Sequence, residues 1–277
     1  MFLSGIYNRT DMLLAIDIGN TTIGFAVMDN AGHIVSVAII DTDAKMNKIK
    51  AVVAKILRGH AITKAIICSV VPKASKTLED ILKKSIPVEI VGRDIFVPIK
   101  NCYKNPKQVG HDRLVGAYGA MKIYGRPLIV VDLGTAITFD VVSAKGEYLG
   151  GAIVPGIRLS AESLFLKTAL LPHIEIKAPK SIIGKTTQES ILSGLFYGYG
   201  SLCKGMIDML SSKLSSPNNK NMSSSNKKDM SFPRTRESIR VVMTGGYTHL
   251  MKKFVSPKIR IIDEDLVFKG IYFLSCL

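Results

Sequence analysis

Two stretches of the 277-residue chain carry the same set of groups suited to handling phosphate. Asp17-Ile18-Gly19-Asn20-Thr21-Thr22-Ile23-Gly24-Phe25-Ala26-Val27 is echoed by Asp132-Leu133-Gly134-Thr135-Ala136-Ile137-Thr138-Phe139-Asp140-Val141-Val142. Each reads as the end of an apolar run, an acidic residue, a glycine turn with small polar residues, and a second apolar run. Such a turn offers backbone N–H groups to an anion, and an acidic residue at its entry can hold a cation that bridges phosphate oxygens. One Asp-x-Gly alone is most often just a turn. Two in matched strand context imply two related domains facing each other across a nucleotide cleft.

A third segment, Tyr103-Lys-Asn-Pro-Lys-Gln-Val-Gly-His-Asp-Arg113, sets an Asp beside an Arg after a turn containing Pro and Gly. An Asp at a cleft can accept a hydroxyl proton, and an Arg can neutralise a carboxylate or phosphate. The same pair also suits a simple surface ion pair. Val241-Val-Met-Thr-Gly-Gly246 reads as a buried strand entering a turn where missing side chains admit a flat ring or a ribose. Two other glycine-bearing stretches fail as motifs. Gly184-Lys185-Thr186 has Pro179 where a P-loop needs its first glycine, and Gly198-Tyr-Gly200 has Cys203 where a dinucleotide fingerprint needs its third.

The elements that must position these groups follow an α/β plan. LLAIDIG, TIGFAVMD and HIVSVAII read as three strands joined by turns at Gly19-Asn20 and Asn30-Ala31-Gly32. A helix is expected over Asp43–Leu57, a buried strand at AIICSV, a helix over Lys73–Lys84 opened by Pro72, and a strand at VEIVG. A long apolar helix over Glu189–Leu210 suits either its own core or a dimer surface. Residues 211 to 238 are rich in Ser, Asn and Lys without apolar periodicity, which predicts a flexible basic insertion between a helix ending near Leu210 and a strand starting near Ile239.

Apolar residues make up 47% and charged residues 21%, a globular composition. No uncharged apolar run approaches the roughly 20 residues of a spanning helix. The opening residues lack a signal-peptide pattern, so a cytoplasmic protein is expected and the sequons at Asn8 and Asn20 would meet no glycosylation machinery. Cys68, Cys102, Cys203 and Cys276 form no CxxC pair, which disfavours a zinc cluster or a disulfide framework. The net charge is +15, and residues 211 to 240 hold seven basic residues against two acidic ones. Without a nucleic-acid-binding motif beside it, that excess reads as a solvated basic surface and not as a nucleic-acid site.

Taken in order, Asp17-Ile-Gly-Asn-Thr21, Gly110-His-Asp-Arg113, Val131-Asp-Leu-Gly-Thr-Ala136 and Thr244-Gly-Gly246 resemble the type III pantothenate kinases of the acetate kinase, sugar kinase, Hsp70 and actin superfamily. The resemblance runs from about Met12 to Tyr272 and includes Gly150-Gly-Ala-Ile-Val-Pro-Gly156, Leu195-Phe-Tyr-Gly198 and Asp265-Leu-Val-Phe-Lys-Gly270. It implies two ribonuclease H-like domains with mixed sheets flanked by helices, the actin-like ATPase plan. These are read as 1–115, with 1–11 an extension, and 116–277, with the insertion at 211–238. It implies ATP-dependent phosphorylation of pantothenate to 4'-phosphopantothenate, the first step of coenzyme A biosynthesis. By position, Asp17, Ile18, Gly19, Asn20, Thr21, Thr22, Ile23, Gly24 and Thr135 would bind ATP, with Mg²⁺ near Asp17. Asp112 would be the proton acceptor. Tyr103, Gly110, His111, Asp112, Arg113 and Thr187 would contact pantothenate, and Asp132 would bind a monovalent cation, K⁺ or NH4⁺. The resemblance also implies a homodimer.

Two departures stand out: His111 where the family usually has a small residue, and Thr186 where it usually has Asn. The flanking Gly110, Asp112 and Arg113 are intact, so the His111 ring is expected to point away from the pocket. Two rival readings use the same motifs: an ATP-binding accessory factor whose charge serves a nucleic acid, and a kinase or phosphatase for another small molecule. Intact Asp112 and Arg113 weigh against the first.

Overall fold

The computed structural model describes residues 11–215, 238–255, 257 and 259–277. The described chain groups into two compact units. One runs through Ile123 and resumes at Asp265–Leu277, and the other is Tyr124–Glu264.

The first unit opens with strands β1 (Met12–Ile18), β2 (Thr22–Met28) and β3 (Ile34–Asp41) as an antiparallel meander. Helix α1 (Met46–Gly59) leads to β4 (Ile62–Ser69), and α2 (Pro72–Leu82) leads to β5 (Val88–Ile90). Both new strands run parallel, β4 beside β1 and β5 beside β4, giving the order β3-β2-β1-β4-β5. A two-residue strand β6 (Lys100–Asn101) and a 3-10 turn at Pro106–Gln108 precede helix α3 (His111–Tyr124). The last helix, α7 (Leu266–Ser275), also belongs to this unit.

Strand β1 is central, so it must be apolar on both faces, and its period of two sorts the side chains. Leu14, Ile16 and Ile18 pack with Phe25 and Val27 against Ile49, Val53 and Ile56 of α1 and Leu78 and Leu82 of α2. Leu13 and Ala15 face the opposite way, with Ile66 and Cys68, against Val115 and Tyr118 of α3 and Ile271 and Leu274 of α7. The alternation sends Asp17 to that second face, toward α3.

Helix α3 carries a run of small residues because it crosses α7 at backbone distance. A Cβ on Gly119 would stand 2.9 Å from the Cα of Gly270, and one on Gly270 would run into the Val115 carbonyl. Side chains there would force the two helices apart. The boundary read at 115/116 therefore falls inside a continuous helix, and the C-terminal turns of the chain return to the first unit.

The second unit repeats the first strand for strand. Strands β7 (Leu128–Leu133), β8 (Ala136–Val142) and β9 (Glu147–Pro155) form the meander, followed by α4 (Ile157–Lys167) and the 29-residue α5 (Thr187–Ser215). Strand β10 (Arg240–Thr244), the short α6 (Thr248–Met251) and β11 (Ile261–Ile262) complete it. Its strands lie in the order β9-β8-β7-β10-β11, with β10 parallel to β7 and β11 parallel to β10. This is the connectivity of β3-β2-β1-β4-β5 again, so the fold consists of two ribonuclease H-like α/β units with mixed sheets.

Sequence expectations shift at a few ends. Helix α1 starts at Met46 and not Asp43, since Asp41–Ala44 closes a turn in which the Ala44 amide donates to the Asp41 carbonyl at 3.1 Å. Helix α5 continues to Ser215, five residues into the stretch read as a flexible insertion. The reason is packing: Leu210 and Leu214, one turn apart, both lie against the core of the second unit. Residues 216–237 of that insertion and residues 1–10 lie outside the described residues. The buried positions of α5, including Leu195, Phe196, Cys203 and Ile207, join the core of their own unit. No described helix is long and apolar enough to cross a membrane.

Candidate active site

In the first unit the acidic residues converge at the carboxyl ends of parallel strands β1 and β4. Asp17 stands in register with Cys68 of β4 and with Gly24 of β2. The Cys68 thiol is fully buried, and its pKa is pushed well above the ordinary value. Burial is the main cause, and the negative charges of Asp17 and Asp112 add to it. A thiolate there would be a third negative charge, so Cys68 stays neutral. Of the two carboxylates assigned from sequence, Asp17 lies beside this small neutral side chain in the sheet and Asp112 acts on it through its charge.

Asp112 is held by its own helix end. Its Oδ1 accepts the Arg113 amide at 2.8 Å, within the first turn of α3, where amide groups lack partners of their own and a carboxylate is favoured. Gly110 lies beneath that carboxylate. A Cβ there would collide with Asp112 Oδ1 and stand 3.4 Å from Val70 Cγ1. Arg113 is half-buried, with Nη2 sealed from solvent. Tyr103 is also half-buried, and its loop is pinned by Asn101, whose Oδ1 accepts the Tyr103 amide at 3.0 Å and whose Nδ2 donates to the Pro106 carbonyl at 3.2 Å.

The Gly19–Thr21 turn is clasped from the end of β3. The Gly19 amide donates to the Thr22 carbonyl at 2.9 Å, the Thr42 amide donates to the Thr21 carbonyl at 2.9 Å, and Thr42 Oγ1 donates to the Gly19 carbonyl at 2.7 Å. Asn20 and Thr22 are exposed at its tip. Other members of the expected ATP loop pack inward. Ile18 and Ile23 are core side chains, and the open face of Gly24 is filled by the Phe268 ring of α7. The aliphatic and second glycine positions of the motif therefore serve packing.

In the second unit, Asp132 is the penultimate residue of β7 and Thr135 is exposed at the tip of the Gly134–Thr135 turn. The Gly134 amide donates to the Ala136 carbonyl at 3.1 Å, the Gly156 amide to the Thr135 carbonyl at 3.0 Å, and the Tyr247 amide to the Leu133 carbonyl at 3.1 Å. The Asp132 carboxylate rests on bare glycine backbone. Its Oδ1 would be 3.3 Å from a Cβ on Gly134 and would collide with one on Gly245. Gly245 is the turn residue of the Thr244-Gly-Gly246 motif, so that motif delimits the space around Asp132. The Asp132 carboxylate is a hard oxygen donor, the class of ligand that hard cations take.

Thr187 is exposed as the first residue of α5. The Gly184-Lys185-Thr186 stretch rejected as a P-loop starts this helix. Thr186 Oγ1 accepts the Glu189 amide at 3.2 Å, and Glu189 Oε2 accepts the Lys185 amide at 2.8 Å. This capping pair was legible as Thr186-x-x-Glu189 ahead of an apolar run. Thr42 was the turn contact least legible in the sequence, because a Thr after a strand carries no signal without its partner.

Among the described residues no group of three or more His, Cys, Asp or Glu gathers as a metal centre. Asp17 by itself is a hard oxygen donor of the kind that Mg²⁺ takes alongside nucleotide phosphates.

Comparison with known proteins adds a family. The model described as type III pantothenate kinase matches residues 13–209. A type III pantothenate kinase of Persephonella marina is 41% identical over 270 residues, covering 94% of this chain and 97% of that protein. Another from Finegoldia magna is 37% identical, with 96% and 98% covered. Among solved structures, the ethanolamine utilization protein EutJ of Carboxydothermus hydrogenoformans aligns with a TM-score of 0.54 at 14% identity, covering 94% of this chain and 89% of that one. A ROK family glucokinase of Streptomyces griseus aligns at 0.52 and 12%, covering 95% and 98%. At those identities the structures support the fold alone.

Proposed function

Because the chain belongs to the type III pantothenate kinase family, we propose that it transfers the terminal phosphoryl group of ATP to the primary hydroxyl of pantothenate, giving 4'-phosphopantothenate for coenzyme A synthesis. The observation that carries this reading is the near-full-length match to named family members, joined to Asp112 and Arg113 at the start of a helix.

Phosphoryl transfer passes through a loose transition state, so catalysis rests on positioning and charge neutralisation more than on a strong base. Asp112 is assigned to orient the pantothenate hydroxyl and accept its proton. Its bond from the Arg113 amide fixes the carboxylate at the helix start for that task. Arg113, Gly110, Tyr103 and Thr187 are assigned to pantothenate, Arg113 as the cation facing its carboxylate. Asp17, the Gly19–Thr22 turn and Thr135 are assigned to ATP, and the exposed side chains of Asn20, Thr22 and Thr135 carry hydrogen-bond donors that suit phosphate oxygens. Asp17 would hold Mg²⁺ and Asp132 a monovalent cation; when bound, these ions supply positive charge where phosphate oxygens gain negative charge. A homodimer belongs to the same reading.

The test is phosphate transfer from ATP to pantothenate with Mg²⁺, with and without K⁺, beside a panel of sugars and other alcohols. Turnover with pantothenate that depends on K⁺ is the expected result. Folded, ATP-binding protein that phosphorylates another alcohol, or none, would overturn the substrate assignment.

A further inference from the structure

His111 immediately precedes Asp112, yet its ring is committed elsewhere. The imidazole lies on the bare backbone of Gly92, where a Cβ would run into Cε1 and Nε2 and stand 2.9 Å from Nδ1. Gly92 has φ +88°, in the left-handed region, so the position is closed to a side chain by backbone strain as well as by the ring.

The turn that offers this seat is braced on every side. The Gly92 amide donates to the Ile95 carbonyl at 2.8 Å and the Val91 amide to the Ile67 carbonyl of β4 at 2.9 Å. Asp94 Oδ2 accepts the Ile90 amide at 2.8 Å. Arg93 forks onto Asp94, at 2.9 and 2.7 Å, and onto both oxygens of Glu79 on α2, at 2.8 and 3.2 Å. The seat is thus tied to β4, one residue from Cys68, and to α2. The ring it holds belongs to the first residue of α3, and the next residue is Asp112.

We propose that His111 is a positioning residue: its ring, keyed into the Gly92 seat, fixes the first turn of α3 and thereby the Asp112 carboxylate. This rests on Asp112 being the proton acceptor. Packing of a flat ring does the work, so a phenyl group can replace the imidazole, whereas a methyl group cannot.

The experiment compares H111A, H111F, G92A and the double variant G92A/H111A, with D112N in parallel. Two readouts are used: kcat and pantothenate KM, and hydrogen exchange of the α3 first-turn amides, which does not depend on turnover. H111A should lose roughly 10- to 100-fold in kcat, the scale of a small misplacement of a reacting group, with pantothenate KM nearly unchanged. It should also speed exchange at the Arg113 amide. H111F should retain most of kcat and the slow exchange. G92A should match H111A in kcat, and the double variant should be no worse than H111A, because the seat is then already empty. H111F as impaired as H111A, a loss confined to KM, or additive kcat losses would overturn the proposal in favour of direct contact between the imidazole and pantothenate. If D112N keeps near-normal turnover, the base assignment fails by itself, while the exchange readout still tests the mechanical link between His111 and α3.

Discussion

Thr42 and Gly156 do the same job at equivalent places in the two units. Each follows the third strand of its meander, and each donates its amide to the carbonyl of the residue just before the second strand, Thr21 at 2.9 Å and Thr135 at 3.0 Å. The repeat is therefore an instruction for closing a turn as much as a pattern of strands. In both units the clasp holds the turn from behind through its carbonyls. The two clasps differ in chemistry: Thr42 adds a hydroxyl bond to Gly19, whereas a Cβ on Gly156 would collide with the carbonyls of Gly134 and Thr135.

Replacing Thr42 by Val keeps the amide bond and removes the 2.7 Å hydroxyl bond to the Gly19 carbonyl. The expected cost is about 1 kcal/mol of stability, the usual net worth of one hydrogen bond. The ATP KM should rise several-fold while pantothenate KM holds. An unchanged ATP KM in initial-rate kinetics would separate the clasp from nucleotide binding.

Asp112→Asn preserves size and an acceptor for the Arg113 amide but removes the base. Turnover should fall by about 10²- to 10⁴-fold, the range attributed to general acid–base groups, with fold and ATP affinity retained. Circular dichroism and nucleotide titration beside the kinetics would check both halves of this. Near-normal turnover would remove Asp112 from the base role.

Asp132→Asn takes the formal charge from the cradle formed by Gly134 and Gly245. The K⁺ concentration for half-maximal activity should rise severalfold, with little change in the Mg²⁺ requirement. A K⁺ titration that superimposes on the wild-type curve would place the monovalent ion elsewhere.

Tyr124, the last residue of α3, donates its hydroxyl to Asp263 Oδ2 at 2.7 Å. Burial first, then this bond and the Asp263 charge, raise its pKa above that of a free tyrosine. The folded state thus holds the proton more tightly than the unfolded chain. Its stabilising contribution is complete below the unfolded pKa, about 10, and is lost as pH rises above it. Tyr124→Phe should therefore lower the melting temperature at neutral pH and flatten the decline above pH 10. Parallel wild-type and variant melting curves from pH 7 to 11 would contradict this.

Much of the design is local and so was legible. Asp17 and Asp132 announce their turns because an acidic residue before a glycine, between apolar runs, fits few other structures. Pro72 marks the start of α2 because it fits the first helical turn. Leu210 and Leu214 show the limit of composition as a guide: surrounding Ser and Lys masked two apolar residues one turn apart, and the core kept the helix going to Ser215. Gly24 shows another, since its place in a phosphate motif concealed that Phe268, more than 240 residues later, fills its open face.

The sequence by itself determined the strand and helix plan, the duplication and the identity of the chemical groups, because these depend on neighbours within one turn or one strand. The tertiary structure alone decided which distant residues complete each feature: Cys68 beside Asp17, Thr42 under Gly19, Gly245 against Asp132, and Gly92 beneath His111. The reason is physical. Hydrogen bonds and close packing act over a few ångströms, and only the folded chain brings residues that far apart in sequence to that range.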